Sequence, residues 1–309
     1  MVRLAGLFFL SFAVAALALA CGDDDGGDVQ NSSSEPEGKV AFVSFREVNQ
    51  EIFVKEIPDG NEANLTNDPS EDFDPDISED GSRVLFVSDR SGQVQIYAID
   101  VDGNNLTELT DDPSGGQTPR WSRDGTQIAF SLGSSLAVMN ADGSNIRVLM
   151  EAQPQETADP CRAGAFVGGW SPDDSEIVYY SSSVSREEGQ VCKIAAGGGD
   201  PDVIVFEAGQ YAIEPVFSPD GSRIVYRAII DDQHDIWIVD LASGERTNLT
   251  DDADLDIEPD WSPDGQWIAF GSLRAGEPHF DLFVMRADGT DVRRITDDPA
   301  KDANPVWGP

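Results

Sequence analysis

Glu258-Pro259-Asp260-Trp261-Ser262-Pro263-Asp264-Gly265-Gln266-Trp267-Ile268-Ala269-Phe270 sets out, in thirteen residues, a strand, a tight turn and a second strand. Glu258 to Ser262 reads as a short strand whose Pro259, lacking an N–H, suits a strand end better than a ladder interior. Pro263-Asp264-Gly265 is a turn, because glycine supplies the positive φ such turns need without steric cost. Trp267 to Ser272 follows as a mostly apolar strand of the kind buried on both faces. Downstream, Asp281-Leu282-Phe283-Val284-Met285 gives a third strand, Asp288-Gly289 a hairpin turn, and Val292 to Thr296 a fourth.

The same phrase returns along the chain as Ile77-Ser78-Glu79-Asp80-Gly81, Trp121-Ser122-Arg123-Asp124-Gly125, Trp170-Ser171-Pro172-Asp173-Asp174 and Phe217-Ser218-Pro219-Asp220-Gly221. A truncated copy, Trp307-Gly308-Pro309, stands at the end. Successive serines lie 44, 49, 47 and 44 residues apart, and Gly308 follows Ser262 by 46. A period of about 40 to 50 residues with four short strands per copy is the signature of propeller blades. The repeats begin at Lys39-Val40-Ala41-Phe42-Val43-Ser44, which matches a second strand, and close at Asn304-Pro305-Val306-Trp307, which matches a first strand. The expectation is an all-β, six-bladed β-propeller over residues 39–309, closed when the C-terminal strand completes the N-terminal blade and removes an open edge.

The order Leu249-Thr250-Asp251-Asp252, Pro259 to Gly265, Ile268-Ala269-Phe270 and Phe283-Val284-Met285-Arg286-Ala287-Asp288-Gly289 resembles the TolB-type, WD-like propeller repeat of bacterial envelope proteins. The resemblance covers residues 39–309. It implies an extracytoplasmic propeller that docks another envelope component.

The first residues carry one Arg and an apolar run from Leu4 to Ala20 ahead of Cys21, which describes a secretory signal over residues 1–20. Ala18-Leu19-Ala20-Cys21 is similar to a bacterial lipobox, so Cys21 is expected to carry lipid. A retained membrane span would give nearly the same topology, since 17 apolar residues sit at the lower limit for crossing a bilayer. Residues 21–38, rich in Gly, Asp and Ser, read as a flexible acidic tether. With Cys21 acylated, Cys161 and Cys192 remain as an even pair in an oxidising compartment, and a disulfide pinning the insertion Glu151 to Gly164 is expected.

Twenty basic against 58 acidic residues leave a net charge of −38. Such a surface repels nucleic acid and anionic headgroups, so nucleic-acid binding is excluded, and the acid beyond local turn chemistry points to a saline or cation-rich habitat or to a cationic partner. Much of the acid belongs to Asp-Gly turns and Thr-Asp-Asp-Pro connections, where Asp side chains bond local N–H groups.

The innermost strand of a blade lines the central channel. The residue before the motif proline and the one two earlier are expected to face it. These are Asp74 with Asp72, Glu214, Glu258 with Asp256, and Asn304 with Asp302; Thr118 with Gly116 and Val167 with Ala165 are their counterparts elsewhere. Converging carboxylates of Asp74, Glu214 and Glu258 would hold a hard cation such as Ca²⁺, or receive a basic peptide, or bond neighbouring strand ends. His234 and His279 are expected in exposed loops before third strands. Trp121, Trp170, Trp261 and Trp307, at one repeat position, are expected to pack blade on blade. Arg90 and Arg274 are placed to pair with an acid of the next blade.

Two function classes follow. One is a non-catalytic binding or scaffold module, tethered to a membrane, that docks a protein, peptide or cell-envelope component. The other is a metal-dependent propeller hydrolase or lactonase using the channel carboxylates. A Gly-x-Ser-x-Gly elbow of the kind serine hydrolases need is absent from the sequence.

Overall fold

Why Ser-Pro-Asp-Gly makes a turn is visible atom by atom. Gly265 takes φ 68°, and its N–H donates to the Ser262 carbonyl at 2.9 Å. The Ser262 hydroxyl donates to Asp264 at 2.6 Å and accepts the Trp267 N–H at 2.9 Å, while Asp264 also accepts the Gln266 N–H at 3.0 Å. The Ser262 hydroxyl, the Asp264 carboxylate and the Gly265, Gln266 and Trp267 N–H groups thus bond one another within six residues, and the two strands leave the turn already in antiparallel register, Trp261 opposite Ile268. Ser78–Asp80, Ser122–Asp124, Ser171–Asp173 and Ser218–Asp220 repeat the hydroxyl-to-carboxylate bond at 2.6 to 2.8 Å.

The computed structural model describes residues 35–153, 159–182, 189–206, 210–276 and 278–309. Cys21, the expected signal over residues 1–20 and most of the expected tether lie outside the described residues. Glu35–Pro309 forms one compact unit.

Six antiparallel four-stranded blades make up that unit. Blade II comprises Asp72–Ile77, Arg83–Ser88, Gln95–Asp100 and Thr107–Glu108; blade III comprises Gly116–Trp121, Gln127–Leu132, Ser135–Asn140 and Arg147–Met150. Blade IV holds Phe166–Trp170, Glu176–Ser182, Gly189–Ala195 and Asp202–Val205; blade V holds Tyr211–Phe217, Arg223–Ile230, Gln233–Asp240 and Arg246–Asn248. Blade VI is built from Asp256–Trp261, Trp267–Ser272, Asp281–Arg286 and Arg293–Arg294. Blade I takes its inner strand from the chain end: Asp302–Gly308 pairs with Gly38–Ser44, followed by Glu51–Ile57 and Glu62–Asn64. The closing register places Val40 opposite Trp307 and Ala41 opposite Val306. Blades IV and V are additionally joined by one parallel bridge, Gly189 to Tyr211.

The core is divided into six apolar clusters, each lying between two consecutive blades. Strands buried on both faces explain the continuous apolar runs, since both sides of each sheet face a neighbouring sheet. The repeated tryptophans sit in these seams. Trp170 Nε1 donates to the Arg120 carbonyl at 3.1 Å, and Trp261 Nε1 to that of Val216 at 3.3 Å, each reaching back one blade. Blade IV breaks the turn pattern with Asp174 at the glycine position, held at φ 56°. Its carboxylate accepts the Arg123 and Asp124 N–H groups of blade III at 2.7 and 3.0 Å, so a residue that strains its own turn also ties two blades together.

Cys161 and Cys192 form a disulfide across 31 residues. Cys161 lies in a short 3₁₀ turn, Pro160–Arg162, and Cys192 within the third strand of blade IV; both are fully buried in the III/IV seam. Closing a loop of this length stabilises by about 3–4 kcal/mol in the chain-entropy account. Cys161→Ser/Cys192→Ser should therefore melt about 5–15 °C below the parent. An unchanged melting temperature in non-reducing buffer would show that the bridge constrains nothing.

His234 and His279 are half-buried rather than exposed, because His234 belongs to the third strand of blade V itself.

Candidate functional site: the axial channel

Every inner strand carries an extra residue at the same place. The register slips between Phe73 and Asp76, Gln117 and Arg120, Val167 and Gly169, Ile213 and Val216, and Ile257 and Asp260, and the closing strand slips likewise. At five of these bulges the residue before proline has a positive φ: Asp74 50°, Thr118 48°, Glu214 54°, Glu258 54° and Asn304 52°. A bulge redirects a side chain and sharpens the local twist. Here it turns these side chains along the ring, toward the following blade.

They form a chain of side-chain-to-backbone bonds around the axis. Glu214 accepts the Glu258 N–H at 3.0 Å, and Glu258 accepts the Asn304 N–H at 2.6 Å. Asn304 Nδ2 donates to Asp74 at 3.1 Å, Asp74 accepts the Thr118 N–H, and the Thr118 hydroxyl accepts the Val167 N–H at 3.0 Å. Val167 has no acceptor to pass on to blade V. Glu214 also pairs with Arg227 at 2.8 Å.

The inner strands enclose a cavity of about 170 Å³, lined among others by Asp74, Thr118, Val167, Glu214, Glu258 and Asn304. The residues just after the motif prolines line it too, and the sequence reading passed over them: Asp76, Arg120 and Asp260. Asp76 accepts the Trp121 N–H at 2.6 Å and Asp260 the Trp307 N–H at 2.6 Å. Their signal was the alternation of Asp72, Asp74 and Asp76, which would have placed all three on one face in an unbulged strand.

Asp72, Asp256 and Asp302 do not line the cavity. The extra residue breaks the period of two, and each is fully buried in its own blade. Arg90 bonds both Asp72 oxygens at 2.9 Å, Arg274 bonds Asp256 at 2.7 Å, and Arg46 bonds Asp302 at 2.7 Å. The arginine partners are thus acids of the same blade, not of the next, because Asp72 stands directly across the ladder from Ser88, two residues before Arg90.

Among the described residues no three or more His, Cys, Asp or Glu side chains converge as metal donors. Asp74, Glu214 and Glu258, the candidate Ca²⁺ ligands, each bond a neighbouring blade's backbone N–H instead.

Burial dominates the electrostatics of the channel. It pushes Asp76 up to about 7, against the opposing pull of Arg120, and Asp260 up to about 6. Glu258 rises to about 7 through burial and the repulsion of Glu214, and Asp74 rises through burial as well. The turn aspartates go the other way: hydroxyl and N–H donors hold Asp173 and Asp220 down at about 2. A raised carboxyl pKa means the folded state binds the extra proton, so stability is lost as pH climbs from about 4 to about 7. A lowered one means stability is lost as pH falls from about 4 to about 2. The melting temperature should peak near pH 4–5 and fall by about 5–10 °C toward pH 8. Asp76→Asn/Asp260→Asn should flatten the limb between pH 5 and 7; a parent melting curve that rises over that range would contradict the burial of these acids.

The family described as TolB beta propeller domain matches residues 27–167 and 134–309. The uncharacterized protein Atu1656 of Agrobacterium fabrum is 35% identical over 129 residues, 42% of this chain and 42% of that protein. The uncharacterized peptidase YuxL of Bacillus subtilis is 32% identical over 102 residues, 31% of this chain and 15% of that protein. The matches therefore span less than half the length of these curated relatives. Among solved structures, TolB from Acinetobacter baumannii superposes with a TM-score of 0.73 at 18% identity, over 87% of this chain and 66% of that one. The repeat, the six closed blades and the match over residues 27–309 agree: the chain belongs to the TolB beta propeller domain family.

Proposed function

We propose that this protein is a tethered binding module. Lipid on Cys21 holds it to a membrane on the extracytoplasmic side, residues 21–38 give it reach, and the axial channel receives a cationic stretch of an envelope protein or peptide. The observation that carries this reading is the carboxylate-lined channel, with Asp74, Asp76, Glu258 and Asp260 around one cavity on a chain of net charge −38. A carboxylate that accepts one N–H keeps further acceptor sites for an incoming ammonium or guanidinium, and the field of the whole surface steers cations toward it. Likeness to TolB supports the fold on which the reading rests.

The test is a photo-crosslinker in place of Glu79, an exposed residue at the channel mouth, with crosslinked envelope partners identified in the parent and in Asp76→Asn/Asp260→Asn. The expected result is a partner whose crosslinked segment is basic, and whose capture falls with salt and in the variant. Capture indifferent to both would remove the channel from the function. Turnover of lactones or esters that EDTA abolishes would instead establish the metal-dependent hydrolase.

A further inference from the structure

Arg120 brings a positive charge into the acidic channel and leaves it unpaired. Asp76, Arg120 and Asp260 hold the same repeat position, directly after the motif proline, and all three line the cavity. In a ring of six, blade III stands across the axis from blade VI and beside blade II, so Arg120 faces Asp260 and neighbours Asp76. Its guanidinium acts on both carboxyls through space. Among the described residues its bonds are to carbonyls instead, Nε to Gly168 at 3.3 Å and Nη1 to Pro119 at 2.8 Å, and it forms no ion pair.

Unlike charges around one cavity attract, so holding them apart takes other bonds, and the backbone supplies these. The Trp121 and Trp307 N–H groups fix Asp76 and Asp260, and two carbonyls fix Arg120. Arg123, the other basic residue of the lining, is paired with Glu79 at 3.0 Å. Each fixed group keeps bonding capacity to spare, since a carboxylate offers about four acceptor sites and a guanidinium five N–H donors. The cavity has room on the blade IV side, where a Cβ on Gly169 would meet nothing within 4 Å. Acid on one wall and base on the other are complementary to a dipolar group rather than to a bare cation.

We propose that the cationic stretch enters the channel by its free amino terminus, whose α-ammonium bonds Asp76 and Asp260 while the first carbonyl accepts from Arg120. This rests on the reading of the channel as a receptor for cations and names the group received. An α-ammonium carries three donors and has a carbonyl acceptor on the same residue. A lysine or arginine side chain brings the charge without the acceptor, and leaves Arg120 facing a like charge. Size points the same way. An apolar cavity of about 150 Å³ accommodates benzene, so the channel's 170 Å³ holds one terminal residue rather than a folded segment.

The probes are trialanine amide, its N-acetylated form and an acetylated Ala-Lys-Ala amide, titrated calorimetrically into the purified protein. The first and the third carry one positive charge each, so they differ in where the ammonium sits. Saturable one-to-one binding of trialanine amide is expected, with none by its acetylated form at millimolar concentration. The lysine peptide should bind more weakly by about tenfold, the worth of one charge-assisted contact. Arg120→Gln should erase that advantage, and Asp76→Asn/Asp260→Asn should abolish binding of both. Gly169→Leu, which fills the open side without changing a charge, should also abolish binding while melting within a few degrees of the parent. Equal or tighter binding of the lysine peptide would keep the channel a cation receptor and overturn the terminus as its ligand; binding of neither peptide would overturn both readings. Free alanine binding more tightly than trialanine amide would give the site to small zwitterions and overturn the peptide terminus as its occupant.

Discussion

Removing Asp302–Pro309 is expected to leave a chain without a cooperative thermal transition. The deletion takes away the inner strand of blade I, so the apolar strand Gly38–Ser44 becomes an open edge. Trp307, 5% exposed, leaves the VI/I cluster it shares with Val40, Phe42 and Trp267. Loss of one buried Trp costs about 3–5 kcal/mol, against a total stability of about 5–15 kcal/mol for a typical domain. The deletion also orphans acceptors on blade VI: Asp260 loses the Trp307 N–H and Glu258 the Asn304 N–H. Circular dichroism and gel filtration would read the outcome as lost cooperativity and aggregation through the exposed edge. A cooperative melt within a few degrees of the parent would mean that five blades close without the sixth.

Gly168→Ala is expected to be nearly as damaging, and its neighbour provides the control. A Cβ on Gly168 would lie 1.8 Å from the Pro215 carbonyl oxygen and 3.0 Å from Pro215 Cγ, whereas one on Gly169 meets nothing within 4 Å. The obstacle is backbone of the next inner strand, so no side-chain rotation relieves it. Blades IV and V must part at the axis, and the substitution should cost more than the about 1–3 kcal/mol of ordinary core overpacking. Gly169→Ala should stay within about 1 kcal/mol of the parent. Equal melting temperatures for the two variants would refute the close approach. The seam is special for a reason visible around the ring: Val167 passes no side-chain acceptor to blade V, and Phe217 stands where blades III, IV and VI have a tryptophan. Direct backbone contact takes the place of those ties.

The residues that make blades were legible because their chemistry is local. Ser262, Asp264, Gly265 and Trp267 satisfy one another within six positions, so repeat length, turn placement and the closing strand could all be read along the chain. The channel was legible in part. Asp74, Glu214, Glu258 and Asn304 line it, but Asp76, Arg120 and Asp260 were passed over and Asp72, Asp256 and Asp302 were placed there wrongly, because the bulge that reorders the inner strand leaves no mark in composition or period.

Local chemistry along the chain specifies an all-β repeat of four-strand units, an acidic surface and an even pair of cysteines available to bridge. Which carboxylates reach the axis and which arginines they meet emerge only from the assembled ring of blades. Turn bonds join residues within one unit, whereas these arrangements depend on cross-strand register and on the blade alongside, at separations of up to 256 residues.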